Sequence, residues 1–279
     1  MKKLKHKKYI NVIPSFKLSF GVTITMLSIM VLIPVASVVI YTSGQNFSDF
    51  LETITSKRLL SAYKVSFMCS FIATLINSVF GVILAWVLVR YDFPLKRFMD
   101  GLIELPFALP TSVAGITLTT LYSENGWFGR IFAKFGIKVS YSKIGIIIAM
   151  IFIGIPFIVR NIQPVLEKFD KTYEEAGEMF GASRSQIFFK IIFPEILPPL
   201  LTGFGLAFAR ALGEYGSVVF IAGNKPYETE VVPLLIMSKL QQFDYTSATA
   251  IALVMLLVSF IIMFITNSIQ IYTNKFAKG

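Results

Sequence analysis

The stretch Glu175-Ala176-Gly177, followed after three intervening residues by Gly181 and after nine more by Ile191-Ile192-Phe193-Pro194, is polar at its front and lies between two apolar runs. Thr172 and Glu175 have the spacing of a capping box, with the hydroxyl at the N-cap and the carboxylate three residues later. Gly181 suits the left-handed residue that closes a helix. Ser183 and Gln186 repeat the box for a second helix, which Pro194 should end. The pattern predicts two short helices joined by a glycine hinge over about residues 167–195, held at a membrane surface by the flanking spans. Such a unit is placed to push on another protein. The plainer alternative is a loop whose glutamate only caps a helix.

Working outward, uncharged runs cover residues 18–48, 65–89, 105–123, 144–159, 196–209 and 245–274. A membrane-spanning helix needs about 17–25 residues. The fourth run is short and should continue toward Leu166; the fifth should continue through Arg210 and Glu214 to Ala222. Six spans follow, and with 55% hydrophobic residues the chain is too apolar for a soluble domain. The expectation is an all-α integral membrane protein: a basic tail over 1–17, then one transmembrane unit over 18–279. The first apolar stretch is far longer than a signal peptide's core, so it reads as a retained helix.

With both termini inside, sixteen Lys and Arg fall on the inner side, nine on the outer side, and Arg210 within a span. That bias puts the glycine-hinged loop in the cytoplasm and the chain in the cytoplasmic membrane. The net charge of +10 is then mostly lysine and arginine beside anionic lipid, and needs no nucleic acid. With one cysteine (Cys69) and one histidine (His6), an internal disulfide, a Cys/His metal site and a histidine-based hydrolase triad are excluded. No G-x-x-x-x-G-K-[ST] occurs, so ATP hydrolysis through a P-loop of its own is excluded too.

Three segments carry unusual chemistry. In the fifth run Gly203, Ala207, Arg210, Glu214 and Ser217 share one helical stripe. Arg210 lies about 18 Å beyond Pro198 at 1.5 Å per residue, near mid-membrane. A charge there must face protein or a wet cavity. Arg210 and Glu214 are either an ion pair neutralising itself in a helix interface or a polar lining for an anion path. In the third run Pro106 and Pro110 should bend or break the helix. Thr111 and Ser112 would then repair the kink or meet a solute. Outside the spans, Trp127, Phe128, Ile131, Phe132 and Phe135 recur at helical spacing beside Arg130, Lys134 and Lys138. This segment is either an anchor in the membrane interface or part of a platform for an external protein.

The loop resembles the EAA motif of ATP-binding-cassette importer permeases, with Gly177 in place of the second alanine and Phe193 in place of a leucine. The segments Leu105-Pro106-Phe107-Ala108-Leu109-Pro110-Thr111-Ser112 and Ala209-Arg210-Ala211-Leu212-Gly213-Glu214-Tyr215-Gly216-Ser217 are similar to oxyanion-importer permeases of the sulfate and molybdate type. The stretch from Val219 to Ile236 looks most like the T-type permeases of sulfate/thiosulfate importers. The resemblance implies a type I importer fold and transport of sulfate, with thiosulfate beside it. It also implies a second permease subunit (different or identical), two cytoplasmic ATPase subunits that use ATP and magnesium, and an extracytoplasmic sulfate-binding protein. This chain would bring no cofactor and no catalytic residue. Glu175, Ala176, Gly177, Gly181, Ala182, Ser183 and Pro194 would couple to the ATPase, and Arg210, Glu214, Thr111, Ser112 and Ser217 would line the substrate path. A molybdate or tungstate permease and an ion-coupled secondary carrier are the alternatives.

Overall fold

A computed structural model describes the backbone of residues 16–276 and the side chains of residues 16–269. Residues 1–15 of the expected basic tail lie outside the described residues, as do the last three, so the expected siding of both termini lies there too. The described residues form helices and no strand. In chain order these are α1 (Phe16–Ser43), α2 (Phe47–Thr55), α3 (Lys57–Arg90), α4 (Lys96–Ala108), α5 (Thr111–Tyr122) and α6 (Trp127–Lys134). They are followed by α7 (Lys143–Lys168), α8 (Thr172–Met179), α9 (Arg184–Leu212), α10 (Val218–Ile221), α11 (Val232–Gln241) and α12 (Tyr245–Phe276).

Helices α1, α3, α7, α9 and α12 are each long and apolar enough to cross a bilayer. The sixth expected span is a bent pair, α4 and α5, meeting at 112°. The two prolines of that run act differently. Pro106 is absorbed inside α4, whereas Leu109, ahead of Pro110, takes an extended conformation at ψ 135° and stops the helix.

Hydroxyls start α3 and α7. The Ser56 Oγ accepts from the Leu59 N–H, and the Ser142 Oγ accepts from the N–H groups of Ile144 and Gly145. Helices α3 and α7 pack along their lengths, and α9 lies against both. Helix α12 covers α9 and α11, and α1 packs on α12. Two apolar clusters hold this centre. Ile158, Ile162 and Leu166 of α7 meet Ile187, Ile192 and Ile196 of α9 at one end. Cys69, Met150, Val218 and Ile221 pack together toward the other. Since α7 runs about 39 Å at 1.5 Å per residue, α6 just before its start and α8 just after its end lie at opposite ends of the bundle.

Candidate functional site

The loop between α7 and α9 folds as two helices around a left-handed glycine. Gly181 has φ +78°. Its N–H donates to the Glu178 carbonyl at 2.9 Å and the Ala182 N–H to the Gly177 carbonyl at 3.0 Å. This pair of bonds is the Schellman closure that a left-handed residue permits. The second capping box is present as expected: the Gln186 N–H donates to Ser183 Oγ, and the Ser183 N–H to Gln186 Oε1 at 2.8 Å.

The first box is corrected. Thr172 lies inside α8, and the Asp170 carboxylate takes the capping role, accepting from the Thr172 N–H at 3.0 Å and its hydroxyl at 2.7 Å. Those bonds, the backbone one foremost, hold the Asp170 carboxyl below the usual carboxylate range. Aspartate is as good a capping acceptor as threonine, and it stands two residues earlier. Glu175 is therefore free of capping duty and exposed.

Pro194 does not end the second helix, which is the other correction. A π-turn over Phe188–Ile192, closed by the Phe193 N–H on the Phe188 carbonyl, precedes it. Pro194 then falls at the first positions of the next stretch, where a missing N–H costs little. The helix runs on to Leu212.

Three contacts seat this unit on the bundle. Arg90, the last residue of α3, makes an ion pair with Glu174. Its guanidinium lies 5.4 Å from the Trp86 ring centroid and 6.0 Å from that of Phe169. Trp86 meets Phe188 edge-on at 5.7 Å. Gly177 faces Ile187 and Ile191; a Cβ there would stand 3.0 Å from Ile191 Cδ1. Ala176 and Ala182 are half-buried, and Ser183 and Pro194 are exposed. The tip is apolar and bare, with Met179 87% and Phe180 91% exposed. Arg90 and Glu174 escaped the sequence reading; the only signal was a lone arginine closing an uncharged run.

At the far end of α9 the second group of residues converges. The expected continuous stripe to Ala222 is corrected. The helix stops at Leu212, so Glu214 and Ser217 lie in the connection to α10. Arg210, in the last turn, reaches Glu214 at 2.5 Å. The Glu214 carboxylate, 2% exposed, also accepts from the Ser217 N–H at 2.8 Å and its hydroxyl at 2.9 Å. The Arg210 side chain as a whole keeps 35% of its surface exposed.

Helix α5 closes over this connection through two glycines. A Cβ on Gly216 would lie 2.0 Å from Thr111 Oγ1, and one on Gly115 would lie 2.5 Å from the Ser217 carbonyl. Thr111 is thus half-buried against Gly216, while Ser112 is exposed. Neither hydroxyl makes a hydrogen bond among the described residues. Both polar segments singled out in the sequence meet here, one at each helix break.

Three further ion pairs, made by two arginines, were not foreseen. Arg160 of α7 binds Asp100 at 2.7 Å and Glu104 at 2.9 Å on α4. Arg58 holds the buried Glu230 through two bonds of 2.8 and 2.6 Å.

Residues 77–276 match the family described as binding-protein-dependent transport system inner membrane component. The chain belongs to this family. Within it, the chain is 46% identical over 259 residues to the sulfate transport system permease protein CysT of Escherichia coli (strain K12), covering 93% of this chain and 94% of that one. To CysT of Synechocystis sp. it is 44% identical over 264 residues, covering 95% and 92%. To a probable sulfate transport system permease protein cysT of Chlorokybus atmophyticus it is 47% identical over 256 residues, covering 92% and 90%. This inner-membrane component is therefore a CysT-type permease. Its fold is that of ABC-importer transmembrane subunits. A bacterial alginate ABC transporter superposes with a TM-score of 0.76 at 18% identity over 90% of this chain and 92% of that one. The MetNI methionine ABC transporter gives 0.57 at 17% identity over 77% and 96%.

Proposed function

We propose that this permease moves sulfate, and thiosulfate with it, across the cytoplasmic membrane by alternating access powered by partner ATPases. The name shared by relatives more than 40% identical over nearly the whole chain carries the choice of anion. The continuity of α9 supports the mechanism, because one helix bears the capped loop at its start and Arg210 in its last turn.

In this reading the bare Met179–Phe180 tip and the turn at Gly181 dock on a cytoplasmic ATPase subunit. A second permease completes the translocation path, and an external receptor delivers the anion. ATP and magnesium act at the partner ATPases. Closure of the ATPase pair pushes on α8 and the start of α9, and the same rod carries the displacement to the Arg210–Glu214 break, where α5 leans on Gly216 and Ser217. The part-exposed Arg210 side chain offers the path a positive edge. Glu214, held by Arg210 and Ser217, is 2% exposed and presents little of its own charge to the path.

Uptake of radiolabelled sulfate by proteoliposomes containing the whole complex tests this, with thiosulfate and molybdate as competitors. ATP-dependent uptake suppressed by thiosulfate and weakly by molybdate is expected. Suppression by molybdate first, at equal concentration, would replace the substrate. Uptake by this chain alone on an ion gradient would replace the mechanism.

A further inference from the structure

We propose that α6 is a monotopic anchor whose apolar face lies in the lipid leaflet at the end of the bundle opposite Gly181, with its basic flank on anionic headgroups. Three sides of this helix differ in character. One side packs on the protein: a Cβ on Gly129 would lie 1.7 Å from the Ser123 carbonyl, and Phe132 leans on Tyr122 at 6.1 Å.

A second side is apolar and uncovered, with Trp127 81%, Phe135 75% and Ile131 53% exposed. Between these two sides runs a basic stripe, Arg130 and Lys134, four residues apart and on one face. Neither makes an ion pair among the described residues, whereas Lys138 just beyond the helix pairs with Glu124 at 3.1 Å. Water is a poor solvent for so large an aromatic face on so short a helix, so the face needs a cover.

The flanking pair of free cations identifies the cover as phospholipid. Apolar rings at the acyl boundary beside lysine and arginine at phosphate level is the arrangement of interfacial helices. It would fix the depth of the α5–α7 connection, and through α5 the level of the break at Ser217. Which anion is carried has no bearing on it.

Trp127 provides the probe, because the chain has only one other tryptophan, Trp86. The difference in emission between the wild-type complex and a Trp127→Phe variant isolates its signal in proteoliposomes. With brominated phosphatidylcholine and phosphatidylglycerol, that difference signal should be quenched at least twofold, and aqueous iodide should leave it nearly unchanged. Raising the phosphatidylglycerol fraction should deepen the bromolipid quenching in wild type and not in an Arg130→Gln, Lys134→Gln variant. Quenching by iodide with none by bromolipid overturns the proposal, as does iodide protection that appears only when the external receptor is added. Equal bromolipid quenching of the doubly neutralised variant at every composition overturns the headgroup contact.

Discussion

Gln186 and Arg210 stand on one uninterrupted helix, the first closing the capping box that starts it and the second binding Glu214 from its last turn. About 36 Å of rod separates them at 1.5 Å per residue. A push at the loop therefore needs no chain of side-chain contacts to reach the charged break.

The turn proposed to receive the push depends on Gly181. Its φ of +78° excludes most side chains, although nothing lies within 4 Å of a Cβ there. The cost of a substitution is thus conformational, roughly 1–2 kcal/mol for an ordinary L-residue and more for a β-branched one. Gly181→Val should lower uptake several-fold and loosen its linkage to ATP hydrolysis with membrane insertion intact, while Gly181→Asn stays near wild type. Uptake and ATPase assays on both variants check this.

Gly177 poses the reverse case. Alanine there gains about 0.8–1 kcal/mol of helix propensity. The Cβ crowds only Ile191 Cδ1 at 3.0 Å and Ile187 Cγ1 at 3.2 Å, both side-chain atoms that can yield. Gly177→Ala should leave uptake unchanged and raise the melting temperature slightly; a drop of several degrees would mean that α8 and α9 cannot give.

Removing one partner of the Arg210–Glu214 pair leaves the other charge uncompensated. Arg210→Ala strands a carboxylate that is 2% exposed and should cost on the order of 3 kcal/mol, the low end for such pairs because Ser217 still donates two bonds. Adding Glu214→Ala should recover part of that stability without recovering transport. Thermal unfolding and uptake of both single variants and the double variant separate the two effects.

Acid sensitivity should appear between α11 and α12. The Lys239 ammonium at 2.9 Å, helped by Ser247, holds the Asp244 carboxyl down at about 2. A lowered folded value means that the stabilisation is complete above an unfolded carboxyl value of about 3.9 and fades as pH falls toward 2. Asp244→Asn should flatten that part of the stability–pH curve, measured by thermal unfolding from pH 6 downward.

Local chemistry was legible and distant chemistry was not. The Ser183–Gln186 box, the left-handed Gly181, the break at Pro110 and the Arg210–Glu214 pair each depend on residues within four positions of one another, so spacing alone exposes them. The continuity of α9 past Pro194 was hidden because a π-turn has no residue signature and a proline normally reads as a stop. The shift of the cap to Asp170 was a choice between two good acceptors. The seat of the loop lies further out of reach: Arg90 and Glu174 are 84 residues apart, and Gly115 meets Ser217 only because two broken helices bring their backbones together.

Spin–spin distances in the working importer test whether the loop and the charged break move as one body. Ser185 and Leu206 are exposed on α9, Val79 is exposed on α3, and the native thiol of Cys69 is buried. A Ser185→Cys, Leu206→Cys pair should hold its separation of about 32 Å with and without ATP. A Ser185→Cys, Val79→Cys pair should shift by roughly 2 Å or more as the ATPases close. A change within the Ser185–Leu206 pair, with the cross-helix distance constant, would mean that α9 bends at its π-turn and does not transmit the stroke.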